Sequence, residues 1–107
     1  MDYNVIVLQG TLAAPAELRE YESGARLLRL LVTVRSTEPR RRVDVLPVTY
    51  WDPPDELTAH PLERGDRLWV CGSAQRRFWE AKEGRRTRVE LVARHVTRYD
   101  ADPADAA

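Results

Sequence analysis

Polar and apolar residues alternate along most of the chain with the period of two that is typical of β-strands. Residues 3–12 (YNVIVLQGTL) are rich in β-branched side chains and are apolar at both parities, so they predict a strand that must be covered on both faces. Residues 26–35 follow a Ser23-Gly24 turn signal, and their odd positions hold both apolar and polar residues. Their even positions form one apolar stripe: Leu28, Leu30, Val32 and Val34. This pattern predicts a second strand with one core face.

Three further strands are predicted in the second half of the chain. Residues 43–51 (VDVLPVTYW) alternate, although Pro47 lacks a donor for the ladder and therefore predicts an edge strand or a bulge. Residues 66–79 and 85–99 have the pattern of two long strands joined by EAKEG. In this connection Gly84 is placed to take a positive φ, which predicts a hairpin with a short loop.

The order of these elements predicts the fold class. The segment PPDELTAHPLERG, between the third and fourth predicted strands, favours a short helix of one or two turns or an irregular connection. Gly72 falls within the fourth strand, where a strongly coiled strand would bend. Five strands in this order are typical of a small all-β barrel of the OB-fold type. We therefore expect one OB-fold domain over residues 1–99 and a short acidic, disordered tail over residues 100–107.

The composition excludes several classes of protein. The 107 residues suit a single domain, no apolar run reaches the length of about 18 residues that a membrane span needs, and the N-terminus opens with an acid instead of a basic region. The lone Cys71 fits a reducing compartment, so we expect a cytoplasmic protein. His60 and His95 lie in no metal-ligand spacing, and there is no phosphate-binding loop or nucleophile motif. We predict no metal, no cofactor, no small-molecule substrate and no enzymatic activity.

The charges sum to zero but are segregated along the chain. Seventeen basic residues balance seventeen acidic ones, and all the basic residues except Lys82 are arginine, which has a planar face for stacking. Residues 52–66 carry five acids and one arginine, whereas residues 67–98 carry nine basic and three acidic side chains. Residues 35–42 add four arginines and one glutamate. This segregation is what a local electrostatic footprint for a polyanion requires.

The parity of the fourth predicted strand assigns its side chains to two faces. Its even positions face the core: Leu68, Val70, Gly72 and Ala74. Its odd positions share the other face: Trp69, Cys71, Ser73, Gln75, Arg77 and Trp79. The adjacent Phe78 and Trp79 should therefore point in opposite directions. A tryptophan flanked by arginine on a free face suits a base-stacking platform, although a hairpin rim is an alternative interpretation of Trp79.

The chain resembles the bacterial single-stranded DNA-binding proteins. The resemblance runs from Asn4 to Tyr99 through NVIVLQGTL, PAELREYESGARLLRLLVTV and ERGDRLWVCGSAQRRFWEAKEGRRTRVELVARHV, and it lies in the joint order of these segments. It implies an OB fold, dimers or tetramers, and single-stranded DNA that lies over the outside with its bases stacked on aromatic side chains. With that ligand, a nucleoid-associated location and an accessory role in replication, recombination or repair are implied as well.

The resemblance assigns candidate residues for nucleic-acid binding. Trp79 and Trp51 lie where the family has stacking aromatics, and Arg35 lies where it has a polar residue that enters the loop between the second and third strands. Together with neighbouring donors, the predicted nucleic-acid-binding residues are Arg35, Arg41, Trp51, Gln75, Arg77, Trp79 and Arg86. Each stacked base contributes roughly 1–3 kcal/mol in any sequence, and arginines neutralise phosphates and release counterions.

The sequence departs from the family at two places on this face. Two aromatics that the family usually has are replaced here by residues near Val45 and by Thr37 and Glu38. Because each stacking platform contributes ~1–3 kcal/mol, their loss predicts weaker binding. The family's acidic tip that recruits protein partners also has no counterpart at residues 104–107, which end without a bulky side chain.

A second hypothesis assigns the chain to a different class. An OB-fold interaction module that has lost most nucleic-acid binding could hold a protein partner through its odd-face residues Leu27, Leu31 and Val45. Trp51 could staple the connection that follows it, and the run Arg40 to Arg42 could be a solvated loop. A separate apolar surface predicts an oligomer interface: Val5, Val7, Trp69 and Cys71.

Overall fold

The computed structural model describes residues 1–100, which form six strands and one short helix. The elements are β1 (Ile6–Leu12), β2 (Glu17–Glu20), β3 (Arg26–Ser36), β4 (Arg42–Trp51), α1 (Asp55–Ala59), β5 (Arg67–Ala81) and β6 (Gly84–Tyr99). All five predicted strands are present, and of the alternatives predicted before the fourth of them, a short helix or an irregular connection, the structure has the short helix α1. The tail expected over residues 100–107 lies outside the described residues except for Asp100.

The strands close into a barrel. Their order is β1-β5-β6-β4-β3-β2, and β1 also pairs with β3, through Thr11 with Thr33 and Leu12 with Val32. The pairings are antiparallel except for a short parallel contact between β4 and β6. Five strands therefore form the closed barrel, and β2 is an additional short strand that pairs with the first part of β3, on the edge whose later part pairs with β1. This architecture confirms the predicted OB fold.

The core is built from alternate residues of the barrel strands. The predicted stripe of β3 is buried at Leu28, Leu30 and Val32, and Val34 packs against the same cluster. Leu68 and Val70 of β5 are fully buried, as their parity predicted. Leu57 of α1 and Leu62, which follows it, belong to the cluster too. The helix thus adds apolar cover to the barrel, which explains the apolar residues in an otherwise acidic connection.

Two residues assigned to the outward face by parity are buried instead. Leu27 is only 7% exposed, because it is flanked in register by Arg19 of β2 and by Trp51 of β4. The aliphatic part of an arginine covers apolar surface well, and β2 was not among the predicted strands. Ser73 shares its face with Gln75, yet it is buried, and its Oγ accepts a hydrogen bond of 3.2 Å from Gln75 Nε2. The hypothesis of a protein-partner surface was therefore wrong for Leu27, which is too buried to contact a partner.

The fourth predicted strand bends where the sequence indicated. Cys71 pairs with His95 but Gly72 pairs with Ala93, so Arg94 is an extra residue in β6 and forms a bulge. A Cβ atom at Gly72 would lie 1.9 Å from the carbonyl oxygen of Val92. Only glycine allows this approach of β5 to β6, and the barrel wall curves at this point.

Beyond the bend, β5 and β6 leave the barrel as a long hairpin. Every residue from Gln75 to Val89 is exposed. The hairpin loop is shorter than expected because Ala81 already pairs with Gly84, whose φ of 113° confirms the predicted positive value.

On β4, Pro47 lies just before Val48, where the parallel pairing with β6 begins, so it sits on the part of β4 that pairs only with β3.

Within residues 1–100, no helix has the length and apolar character needed to cross a membrane.

Candidate nucleic-acid interface

The exposed hairpin carries two different faces because successive residues of a strand point to opposite sides. Trp79 pairs with Arg86, Arg77 pairs with Arg88, and Gln75 pairs with Glu90. Cross-strand partners share a face, so one side of the hairpin, apart from the end pair of Ala81 and Gly84, consists of six residues: Gln75, Arg77, Trp79, Arg86, Arg88 and Glu90. We call it the Trp79 face. The structure therefore brings together four of the seven predicted nucleic-acid-binding residues: Gln75, Arg77, Trp79 and Arg86.

A single carboxylate holds two of the arginines on the Trp79 face. Glu90 Oε1 accepts hydrogen bonds from Arg77 Nη1 at 3.2 Å and from Arg88 Nη2 at 3.0 Å. The Cζ atom of Arg88 also lies 5.7 Å from the centroid of the Trp79 ring, within the range of a cation–π contact. Trp79 is 39% exposed, so much of its ring stays accessible beside this arginine. Arg88 and Glu90 were not among the predicted site residues.

The environment of Glu90 keeps it ionised. Partial burial by itself raises the pKa of its carboxyl. Hydrogen bonds from Arg88 and Arg77, together with their charges, lower the pKa by more than burial raises it, so the pKa lies below that of an ordinary glutamate. The ion pairs therefore stabilise the fold at and above the ordinary carboxyl pKa, and this contribution is lost as the pH falls through the lowered value.

Each arginine of the Trp79 face has a carboxylate partner, since Arg86 forms an ion pair with Glu83 in the hairpin loop. Ion pairs between exposed side chains contribute only about 0.2–1 kcal/mol. The pair of Arg86 and Glu83 is therefore weak, whereas Glu90 is only 15% exposed and its pairs with Arg77 and Arg88 are screened less by water.

A cleft connects the hairpin to the barrel. It has a volume of about 280 Å³ and lies between the outward surfaces of β3 and β4 and the base of the hairpin. Its apolar floor includes Leu31, Pro47 and Val89, while Arg88 and Glu90 of the Trp79 face stand in its wall. The Trp79 face and the outward face of β4 are therefore parts of one continuous surface.

Trp51 lies on that same outward face of β4, two residues beyond Thr49, which also lines the cleft. Its side chain is 47% exposed, and its ring lies 5.8 Å from that of Tyr21 at an angle of 32°. The backbone after it is fixed by Asp52, whose N–H donates to the Arg26 carbonyl at 2.7 Å and whose carboxylate accepts from the Arg26 N–H at 3.0 Å. An aromatic pair on a fixed backbone is well suited to stacking.

Tyr21 was missed by the sequence analysis. It follows β2 and precedes the Ser23-Gly24 turn, and its N–H bonds to the carbonyl of Ala25. Without β2 there was no reason to place the loop beside Trp51. The segment ELREY has no alternation of polar and apolar residues, and it is too short and too polar to indicate a strand by itself.

The other two predicted residues lie elsewhere. Arg35 lines a second cavity of about 270 Å³, a polar one that also contains Gln9, Thr33 and Tyr99. Arg41 is exposed in the loop that precedes β4, next to Arg42, which is paired with Asp44. Neither touches the cleft, and the role of both in binding stays a prediction.

The predicted oligomer interface forms one outward patch. Val7 pairs with Cys71 and Gln9 pairs with Trp69 across β1 and β5. Val5, Val7, Trp69 and Cys71 are all exposed. The ring of Trp69 also lies 6.3 Å from that of Tyr99, which extends the apolar surface on β6.

Comparison with known proteins gives a consistent result. A model of the single-strand binding protein family matches residues 3–99. The single-stranded DNA-binding protein of Clostridium tetani is 32% identical over 98 residues, which cover 87% of this chain and 68% of the relative. Single-stranded DNA-binding protein 3 of Clostridium acetobutylicum is 31% identical over the same shares. The single-stranded DNA-binding protein of Treponema pallidum is 29% identical over 104 residues, which cover 89% of this chain and 57% of the relative. The OB barrel, the exposed hairpin with its tryptophan and arginines, and this match over nearly the whole chain together place the protein in the single-strand binding protein family.

Proposed function

We propose that the protein binds single-stranded DNA without regard to base order, by stacking bases on Trp79 and Trp51 and contacting phosphates with the arginines of the Trp79 face. The observation that carries this proposal is the arrangement of that face. An exposed tryptophan has Arg86 opposite it and Arg88 against its ring, and Arg88 also lines the cleft. Thr49 lies on the β4 side of the cleft, two residues before Trp51 on the same face of the strand. The relatives whose names describe single-stranded DNA binding support the same ligand.

The chemistry of this surface favours single strands over duplex. Every base has a π-face, so stacking on tryptophan tolerates any sequence, but in a duplex those π-faces are hidden within the stack. The hairpin is itself a two-stranded ribbon, a shape that can enter a major groove, so the preference for single strands rests on the stacking rings. Trp79 on the hairpin and the pair of Trp51 and Tyr21 beside β4 are exposed rings that only unstacked bases can cover. A flexible single strand can follow such a surface.

Two departures from the family set the expected strength of binding. Val45, which stands where the family usually has an aromatic, is exposed on the outward face of β4 opposite Thr33. Thr37 and Glu38, at the other departure, are exposed as well. These positions are thus accessible but offer no ring to a base. We expect weaker binding than a member with all the aromatics would show.

Replacing Trp79 tests the proposed platform. Trp79→Ala should weaken binding of a thymidine oligomer by roughly 1–3 kcal/mol, because about one stacked base is lost, and Trp79→Phe should restore most of the affinity. Fluorescence anisotropy of a labelled oligomer measures the affinities, and circular dichroism confirms that each variant is folded. Equal affinities for the wild type and a folded Trp79→Ala would rule out the platform. The exposed apolar residues Leu31 and Val45 would then favour a protein partner.

Replacing Glu90 tests whether phosphates exchange with its carboxylate. In Glu90→Gln, Arg77 and Arg88 lose their shared ion-pair partner and one negative charge disappears, so affinity for the thymidine oligomer should rise by about 1 kcal/mol or more, because Glu90 is only 15% exposed and its ion pairs lie at or above the upper end of the range for exposed pairs. Glu56→Gln on α1 is the matched control, with the same charge change and no arginine partner, and it should have a much smaller effect. A weaker complex with Glu90→Gln would mean that Glu90 holds the arginines in their binding geometry.

We also propose that the protein forms at least a homodimer, or a tetramer, through the patch of Val5, Val7, Trp69 and Cys71. Exposed apolar surface of this extent usually marks an interface. Trp69→Glu should shift the mass measured by analytical ultracentrifugation at micromolar concentration toward the monomer. Trp79→Glu, the same substitution on the hairpin, should leave the mass unchanged. A monomeric wild type, unaffected by Trp69→Glu, would show that the patch is not an interface.

A further inference from the structure

The side of the hairpin that faces away from Trp79 also combines an aromatic ring with arginines. Phe78 points to this side and is 52% exposed. The Cζ atom of Arg85 lies 4.8 Å from the centroid of its ring. Arg76 belongs to the same side, where its Nη1 donates to Thr87 Oγ1 at 3.2 Å. We call the group of Arg76, Phe78, Glu80, Arg85, Thr87 and Val89 the Phe78 face.

The two faces differ in how their charges are balanced. The three arginines of the Trp79 face are paired with Glu90 or Glu83. Among residues 1–100, neither Arg76 nor Arg85 forms an ion pair with a carboxylate, and Glu80, which stands across the ladder from Arg85, does not approach it within 4.0 Å. The two faces therefore have a similar net charge, but on the Phe78 face the guanidinium groups of Arg76 and Arg85 are held by no carboxylate of the described residues. A polyanion can contact them without displacing an ion-pair partner.

The geometry suits a nucleic-acid strand more than an interior packing role. The guanidinium of Arg85 covers one side of the Phe78 ring, and the exposure of the ring leaves room for a second planar group. Both an aromatic ring and a guanidinium can stack on a base. The hairpin is only two strands wide and every residue in its outer part is exposed, so nothing in the described chain separates the two faces along its edges.

We propose that the Phe78 face is a second binding surface for single-stranded nucleic acid, which takes the part of the strand that continues around the hairpin from the Trp79 face. The ligand class rests on the proposed function. The inference adds a stacking ring and two phosphate contacts on a side of the hairpin where the sequence analysis placed none. These contacts offset part of what the missing aromatics on the other face remove.

The first test compares a variant that lacks the ring of Phe78 with a variant that keeps an aromatic ring. Phe78→Leu keeps an apolar cover on the hairpin but removes the ring, so it should lower the affinity for a long thymidine oligomer about fivefold or more, whereas Phe78→Tyr should bind like the wild type. If Phe78 has only a packing role, Phe78→Leu should change the melting temperature and leave the affinity for the oligomer unchanged. That result would overturn the proposal.

The arginines are tested through the salt dependence of binding. Arg76→Ala and Arg85→Ala should each reduce the slope of log affinity against log salt by about one unit, as expected for single phosphate contacts. Arg64→Ala is the matched control, since it removes the same charge from a loop outside the hairpin. Slopes unchanged from the wild type in both hairpin variants, or a change equal to that of Arg64→Ala, would contradict the proposal.

A double variant separates this inference from the proposed function. If the two faces bind different nucleotides of one strand, the effects of Phe78→Leu and Trp79→Ala multiply in the combined variant. If Phe78 acts only by positioning Trp79, its effect disappears when Trp79 is already alanine, and the second surface is refuted while the platform stands. A wild type that binds no thymidine oligomer would refute both.

Discussion

The long ladder between β5 and β6 forms part of the barrel wall and also sets which side chains share the Trp79 face. At one end, where Arg67 pairs with Tyr99, the ladder belongs to the barrel wall, and at the other, where Ala81 pairs with Gly84, it is a free hairpin. One bulge interrupts it, next to Gly72. Because side chains of a strand alternate between two faces, an extra residue reverses the parity of everything that follows. The bulge at Arg94 lets β6 keep both Val96 and Ala93 buried and still present Arg86 and Arg88 beside Trp79.

The electrostatics of the hairpin follow from this register. In the free protein the arginines of the Trp79 face are held by carboxylates, and Glu90 alone holds two of them. The face is therefore ordered without a large excess of charge, which agrees with a chain of zero net charge. In the proposed binding mode a phosphate replaces a carboxylate at each arginine, at the cost of the ion pair that it breaks. The binding free energy would then come from stacking and from counterion release, neither of which depends on base order.

Much of this fold was predictable because strand parity and turn residues are local properties. The alternation in β5 placed Gln75, Arg77 and Trp79 on one face correctly, and Gly84 predicted the hairpin turn. Parity failed at Leu27, where a neighbouring strand covers an outward residue, and that strand, β2, is too short and polar to recognise. The same omission hid Tyr21 beside Trp51.

The ion pairs of Glu90 were also beyond the sequence analysis, because they depend on cross-strand register. That register is set by a two-residue loop, whereas the sequence pattern predicts strands joined by the five residues EAKEG. The position of Arg35 in a separate polar cavity likewise depends on how β1 closes against β3.

The central claim is that the protein recognises single strands through stacking and phosphate contacts. It is tested most directly by competition on the wild-type protein, with a labelled thymidine oligomer displaced by unlabelled single strands and by duplex of equal length at two salt concentrations. Single strands of mixed sequence should compete as well as thymidine, duplex should compete poorly, and the affinity should fall as the salt concentration rises. Duplex that competes as well as the single strand, or an affinity that does not change with salt, would contradict the account.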